Sequence, residues 1–122
     1  MQFLDIIIVG GGPIGIAAAL ESKKNGLSTL IIEKGCIVNS LFNYPVNMQF
    51  FSTSEKLEID NIPFISKENK PKRNEALEYY RRIVTANKLP INLFEKVLSV
   101  NKSGDLFKVV TDKDTYKARF IT

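Results

Sequence analysis

Gly10, Gly12 and Gly15 stand as G-x-G-x-x-G inside "DIIIVGGGPIGIAAAL", with Gly11, Pro13 and Ile14 filling the motif. Glu33 follows Gly15 after seventeen intervening residues. Glycines this dense, between an apolar run and a run of small helix formers, let something approach the backbone. The unpaired N–H groups and positive dipole end of a helix start favour an anion there. Gly10 permits a tight turn, Gly12 lets the backbone approach a pyrophosphate, and Gly15 allows helix to pack closely on strand. Glu33 can accept hydrogen bonds from both hydroxyls of an adenosine ribose, which makes the site hostile to a 2′-phosphate. Strand, glycines, helix and acid together point to dinucleotide binding.

Other chemistries find little material. The chain has no His and one Cys, Cys36, which argues against a zinc site, an internal disulfide and a CxxC redox pair, and suits the cytoplasm. Cys36 by itself is expected to be inert. The net charge of +4 rests largely on Lys67, Lys70, Lys72, Arg73, Arg81 and Arg82, interleaved with Glu68, Glu75 and Glu78. Mixed signs at that spacing read as a solvated helix face with its approach loop, so no nucleic-acid partner is expected. The apolar start lacks a basic leader, carries Asp5 and is broken from Gly10 to Pro13, unlike a signal peptide. No apolar run has the length of a membrane span, and no membrane partner is expected.

The elements that must hold the glycines follow from periodicity. Leu4 to Val9 reads as a parallel strand buried on both faces, and Pro13 opens a helix that Gly26 stops. "STLIIEK", Ser28 to Lys34, is a second strand, completing a βαβ unit. A long excursion then runs from Gly35 to Pro90, with a helical turn at "SxxE" from Ser52 to Glu55 and an amphipathic helix over "RNEALEYYRRIVTANKL", Asn74 being its expected N-cap. So long a stretch inside one domain requires its aromatics to pack on the core or a ligand. Core packing is favoured for Phe42, Tyr44, Phe50, Phe51, Tyr79 and Tyr80, a flavin wall being the alternative for the first four. Ser52, Thr53 and Ser54 could donate to a flavin or cap a turn. After Pro90 the period drops to two: "INLFEKVLSV", "DLFKVVT" and "TYKARFIT" are strands joined by turns at "NKSGD" and "DKD". The expected fold class is α/β: a Rossmann-like domain with a parallel sheet and an antiparallel three-stranded meander.

"DIIIVGGGPIGIAAA" resembles the "DxxIxGxGPxGxxAA" opening of the FAD domain in flavoprotein reductases that bind two dinucleotides. "IIEKGCIVNSLFNYP", "FFSTSEKLEI", "IPFIS" and "KPKRNEALEYYRR" extend that resemblance across the chain to the thioredoxin-reductase-like YpdA family of bacillithiol-disulfide reductases. The resemblance implies FAD as cofactor, with Gly10, Gly11, Gly12, Pro13, Ile14 and Gly15 around its pyrophosphate. It implies Glu33 and Lys34 at the adenosine, Asn39 and Ser40 along the FAD toward the flavin, and the Val97 backbone at the adenine. It also implies that NADPH reduces the flavin and that the flavin reduces a small-molecule or protein disulfide.

The sequence departs from that family at Ile14, where many members carry Cys, so a thiol in the glycine turn cannot lie on this chain's electron path. It also ends at "TYKARFIT", where the family runs on into an NADPH domain. The expectation is an N-terminal portion, residues 1–122, of the FAD-binding domain, inactive by itself and with no catalytic residue of its own. Two other functions remain open: a truncated module that holds a nucleotide or dimerises through a sheet edge left open after Thr122, and an NAD-binding dehydrogenase domain. The long excursion disfavours the second.

Overall fold

Isoleucine-rich Gln2–Val9 forms the first strand, β1, and it runs into the glycine turn and α1, Pro13–Lys24. The computed structural model describes residues 2–46, 48–50 and 52–122. Helix α1 ends at Asn25, with Gly26 beyond it at φ +74°, and β2, Thr29–Ile32, returns parallel to β1 with Ile7 beside Leu30 and Ile8 beside Ile31. Asp5 and Ser28 clamp the far end: Ser28 Oγ accepts the Asp5 N–H at 2.8 Å and the Asp5 carboxylate accepts the Ser28 N–H at 2.9 Å.

The excursion holds two single turns, α2 (Asn39–Phe42) and α3 (Ser54–Leu57), and the long helix α4, Arg73–Ala86. Thr53, not Ser52, is the N-cap of α3, and its side chain makes no capping hydrogen bond. Asn74 is likewise not the cap of α4. That position is Lys72, whose N–H is accepted by the Glu75 carboxylate at 3.0 Å, so the acid three residues on satisfies the helix start. Glu78 and Arg82 pair at 3.1 Å on the exposed face, as the mixed charges suggested.

Four strands complete the sheet: β3 (Ile91–Asn92), β4 (Val97–Ser103), β5 (Leu106–Thr111) and β6 (Thr115–Ile121). The order is β3-β2-β1-β6-β5-β4, with β6 parallel to β1 and β4 and β5 antiparallel. "INLFEKVLSV" is therefore two strands, because Phe94 takes φ +54° and donates its N–H to Gly35 O at 3.1 Å, turning the chain between them. The "NKSGD" turn is shorter than expected: Ser103 pairs with Leu106, leaving Gly104 and Asp105 at the corner and Asn101 to Ser103 inside β4. Strand β6 lies between β1 and β5, and β5 pairs with it over Thr115–Ala118, so the edge expected after Thr122 is reduced to the last few residues of β6 on the β5 side.

Alternate residues of the inner strands face opposite cores. Ile8 and Ile31 pack with Ile16, Ala19 and Leu20 of α1 and with Ile83 and Val84 of α4, while Ile7, Leu30 and Ile32 pack with Val109, Tyr116 and Ala118 of the meander. The excursion is tied to the first core through Tyr79. Its ring stacks on buried Phe64 with centroids 4.3 Å apart, and its hydroxyl donates to Ile62 O at 2.7 Å while accepting the Ile59 N–H at 2.9 Å. Tyr80 adds a hydrogen bond from its hydroxyl to Leu57 O at 3.1 Å. Tyr79 and Tyr80 are thus packing residues, and Phe50 joins the same core. Phe42 and Tyr44 do not: they are 47% and 42% exposed, Phe42 lying against the guanidinium groups of Arg73 and Arg81. Phe51 lies outside the described residues.

Candidate functional site

The site begins at the carboxyl end of β1. Gly10 has φ +109°, where a side chain would be strained, and its N–H donates to Ile32 O at 2.9 Å. The turn places Gly12 as the N-cap of α1 and Pro13 in its first turn. Ile16 donates its N–H to Gly12 O at 2.9 Å, so the N–H groups of Ile14 and Gly15 before it have no acceptor within the helix. A Cβ on Gly15 would collide with Gly10 O and stand 3.3 Å from Ile8 Cγ2, whereas one on Gly12 would meet nothing within 4 Å. Gly15 is closed by packing. Gly12 opens onto a cavity of about 290 Å³, whose wall also includes Val9, Gly10, Pro13, Ile14 and Thr122.

A second cavity of about 300 Å³ adjoins the first, sharing Val9 and Gly10 and extending over Glu33, Lys34, Lys96 and Val97. Glu33 is 6% exposed, and its Oε1 accepts the Gly11 N–H at 2.8 Å while Oε2 accepts the Gly35 N–H at 2.6 Å. Each carboxylate oxygen keeps a second acceptor site, enough for the two hydroxyls of a ribose. The arrangement fits a dinucleotide: free N–H groups and an open glycine at one cavity, an oriented carboxylate at the next. A larger hollow of about 630 Å³ lies along α4 between Asn74 and Ala86, but it is one helix face with an ion pair on it and no converging polar groups.

Gly10, Gly12, Pro13, Ile14 and Gly15 therefore line one cavity, and Glu33, Lys34 and Val97 line its neighbour. Gly11 joins them through Glu33. Asn39 and Ser40 line neither. They begin α2, which is moored to the glycine turn by the Val38 N–H donating to Gly11 O at 2.8 Å. Val38 is fully buried at φ +48°, an uncommon conformation for a β-branched residue and one that only its surroundings can hold. Half-buried Cys36 has its Sγ 3.5 Å from Asn39 Oδ1.

Reading from sequence missed Glu95 and Lys96, which line the second cavity. A charge in the middle of "INLFEKVLSV" was the available signal. Glu95 is 4% exposed, and its Oε2 accepts hydrogen bonds from Thr111 Oγ1 at 2.7 Å and the Tyr116 hydroxyl at 2.6 Å. Asn92 Nδ2 donates to the Tyr116 oxygen at 3.1 Å. Burial first, and the hydrogen bond to Glu95 second, push the Tyr116 phenol from 10.0 up to about 12. Folding thus favours the neutral phenol. The stability this confers is complete below pH 10 and is lost as pH rises through about 12. An ultraviolet titration of the tyrosinates is expected to show this late phase, and Glu95→Gln is expected to move it toward lower pH.

Residues 7–122 match the family described as "Pyridine nucleotide-disulphide oxidoreductase". Among curated proteins the chain is similar to "Bacilliredoxin reductase Bdr" of Bacillus subtilis (strain 168), 48% identical over 111 residues, which are 90% of this chain and 34% of that protein. It is also similar to "Ferredoxin–NADP reductase" of Streptococcus agalactiae serotype Ia, 35% identical over 96% of this chain and 33% of that protein. The chain spans about a third of the length of these curated relatives. Among solved structures, "Bacillithiol Disulfide Reductase Bdr (YpdA) from Staphylococcus aureus" superposes with a TM-score of 0.96 at 51% identity, over 99% of this chain and 38% of that one. A flavin monooxygenase from Stenotrophomonas maltophilia, 24% identical with a TM-score of 0.94, shares the fold.

Proposed function

The chain belongs to the pyridine nucleotide-disulphide oxidoreductase family, and from that premise we propose that residues 1–122 are the N-terminal FAD-binding portion of an NAD(P)H-dependent flavoprotein that reduces a disulfide. The observation that carries the reading is the pair of adjoining cavities, one over the glycine turn and one over Glu33. In this reading Gly10 to Gly15 cradle the FAD pyrophosphate, with the N–H groups of Ile14 and Gly15 donating to it. Glu33 holds the adenosine ribose and Lys34 stands beside it. The Val97 backbone meets the adenine, and Asn39 and Ser40 lie along the cofactor toward the flavin.

When bound, the flavin supplies two-electron carriage from NAD(P)H to a disulfide, which takes up two protons and leaves as two thiols. This chain's residues bind and orient. Ile14, 87% exposed at the mouth of the glycine cavity, cannot supply a thiol there, and Cys36 has no assigned part. The disulfide is of the class that the relatives' names indicate, a bacillithiol disulfide or an oxidised bacilliredoxin. NADPH is expected on a separate domain, and the setting this reading favours is the cytoplasm, where a free thiol such as Cys36 stays reduced. Among the described residues no helix is long and apolar enough to cross a membrane.

The test is an anaerobic titration of an enzyme carrying this domain together with an NAD(P)H-binding one. NADPH is expected to bleach the flavin, and a bacillithiol disulfide to restore its colour with release of two thiols. A flavin that NADPH leaves oxidised sinks the reading. Glu33→Ala is expected to weaken FAD binding by about tenfold to a hundredfold, the weight of hydrogen bonds to an ionised acceptor, measured by fluorescence quenching on titration.

A further inference from the structure

We propose that Glu95 is a positioning residue for the nucleoside end of the dinucleotide, pinning the backbone of Lys96 and Val97 against Glu33 so that the cavity between them keeps the spacing an adenosine requires. The inference rests on the FAD reading above and adds a residue to the same site. Its ground is the way residues 92–96 are tied on both sides. Toward β2, the Glu33 N–H donates to Asn92 O at 2.9 Å and the Glu95 N–H donates to Glu33 O at 3.0 Å. Toward the meander, the Glu95 carboxylate accepts from Thr111 of β5 and from Tyr116 of β6. The Lys96 N–H donates to Asp112 Oδ1 at 3.0 Å, and the Asp112 N–H donates back to Lys96 O at 3.0 Å.

Glu95 is the one residue of this stretch whose backbone reaches the ribose-binding acid and whose side chain reaches two meander strands, β5 and β6. A buried carboxylate is costly unless its partners are fixed, and here they are two hydroxyls on different strands. Removing it leaves the Tyr116 hydroxyl without an acceptor and Thr111 Oγ1 with only Asp114 O at 3.2 Å, and it frees the 95–97 backbone to move relative to Glu33. A glutamine keeps an oxygen that accepts from the same hydroxyls, so the tether survives the loss of charge.

The experiment is a calorimetric titration of the chain with FAD and with ADP, paired with amide hydrogen exchange on the ligand-free protein. Glu95→Gln is expected to bind both ligands within about threefold of wild type, and Glu95→Ala to lose about tenfold to a hundredfold for both. Exchange in Glu95→Ala is expected to quicken at Glu33, Glu95, Lys96 and Val97 while β1 and α1 keep their protection. Should Glu95→Ala fail to fold, Tyr116→Phe, which removes one donor and leaves the ring, must show the same local quickening and a smaller loss of ADP affinity. Wild-type affinity in a folded Glu95→Ala protein overturns the proposal, as does a Glu95→Gln protein that loses as much as the alanine variant, or exchange that quickens everywhere. A wild-type chain that binds neither FAD nor ADP overturns the dinucleotide reading itself, and the role of Glu95 with it.

Discussion

Gly15→Ala is expected to lower FAD affinity by about a hundredfold and to destabilise the fold by about 1–3 kcal/mol, the usual cost of forcing extra volume into a packed contact. The added Cβ would collide with Gly10 O, and neither atom has a flexible side chain through which to yield. Helix α1 must move off β1. Its unpaired N–H groups then leave the place where they face the cavity. Gly12→Ala is the companion variant that separates the two losses. Its φ of −83° is ordinary for alanine, and the new methyl meets nothing within 4 Å in the protein alone. Stability is therefore expected to stay within about 0.5 kcal/mol of wild type, while the methyl occupies the space over the turn that a pyrophosphate needs. Urea unfolding and FAD titration of both variants check this. A Gly12→Ala protein that binds FAD normally removes the pyrophosphate from that turn.

The second large effect lies away from the ligand. Tyr79→Ala is expected to destabilise the chain by about 3–5 kcal/mol, the range for emptying an aromatic from a core. The loss includes the stacking on Phe64, and it leaves the Ile59 N–H and Ile62 O without the hydroxyl that serves both. Against a total stability of about 5–15 kcal/mol for a domain, such a loss is a third or more of the whole through most of that range, and brings folded and unfolded states near balance at its lower end. Tyr79→Phe keeps the ring and gives up the two hydrogen bonds. It is expected to cost about 1–3 kcal/mol, with faster amide exchange concentrated at Ile59 and its neighbours. If Tyr79→Ala unfolds at the wild-type urea concentration, the account of how the excursion is held is wrong.

Much of this site was legible because its parts are local. The glycine turn, the helix it starts and the acid at the end of the next strand lie within residues 5–33, and each is set by backbone constraints that only a few residue types satisfy. The family's meander could also be read, since a period of two survives in β5 and β6, although β4 is exposed along nearly all of its length. What escaped depends on distant contacts. Phe94 carries no mark of a residue at positive φ, and it is its hydrogen bond to Gly35, far back in the chain, that splits an apparent strand into β3 and β4. Asn74 looked like a cap by residue type, yet the Glu75 carboxylate chose Lys72. Phe42 and Tyr44 looked like core by hydrophobicity, although Phe42 is spent on a surface contact with two arginines. Glu95 is the clearest case. Its burial makes sense only once Thr111 and Tyr116 arrive from two later strands.

In the proposed function, this chain holds the adenosine diphosphate half of FAD in two adjoining cavities. Calorimetric titration of the purified chain with FAD, ADP and FMN tests it most directly. FAD and ADP are expected to compete for one site, and FMN, which has no adenosine and no pyrophosphate, is expected to displace neither. FMN binding as tightly as FAD, or FAD binding that ADP leaves untouched, would contradict it.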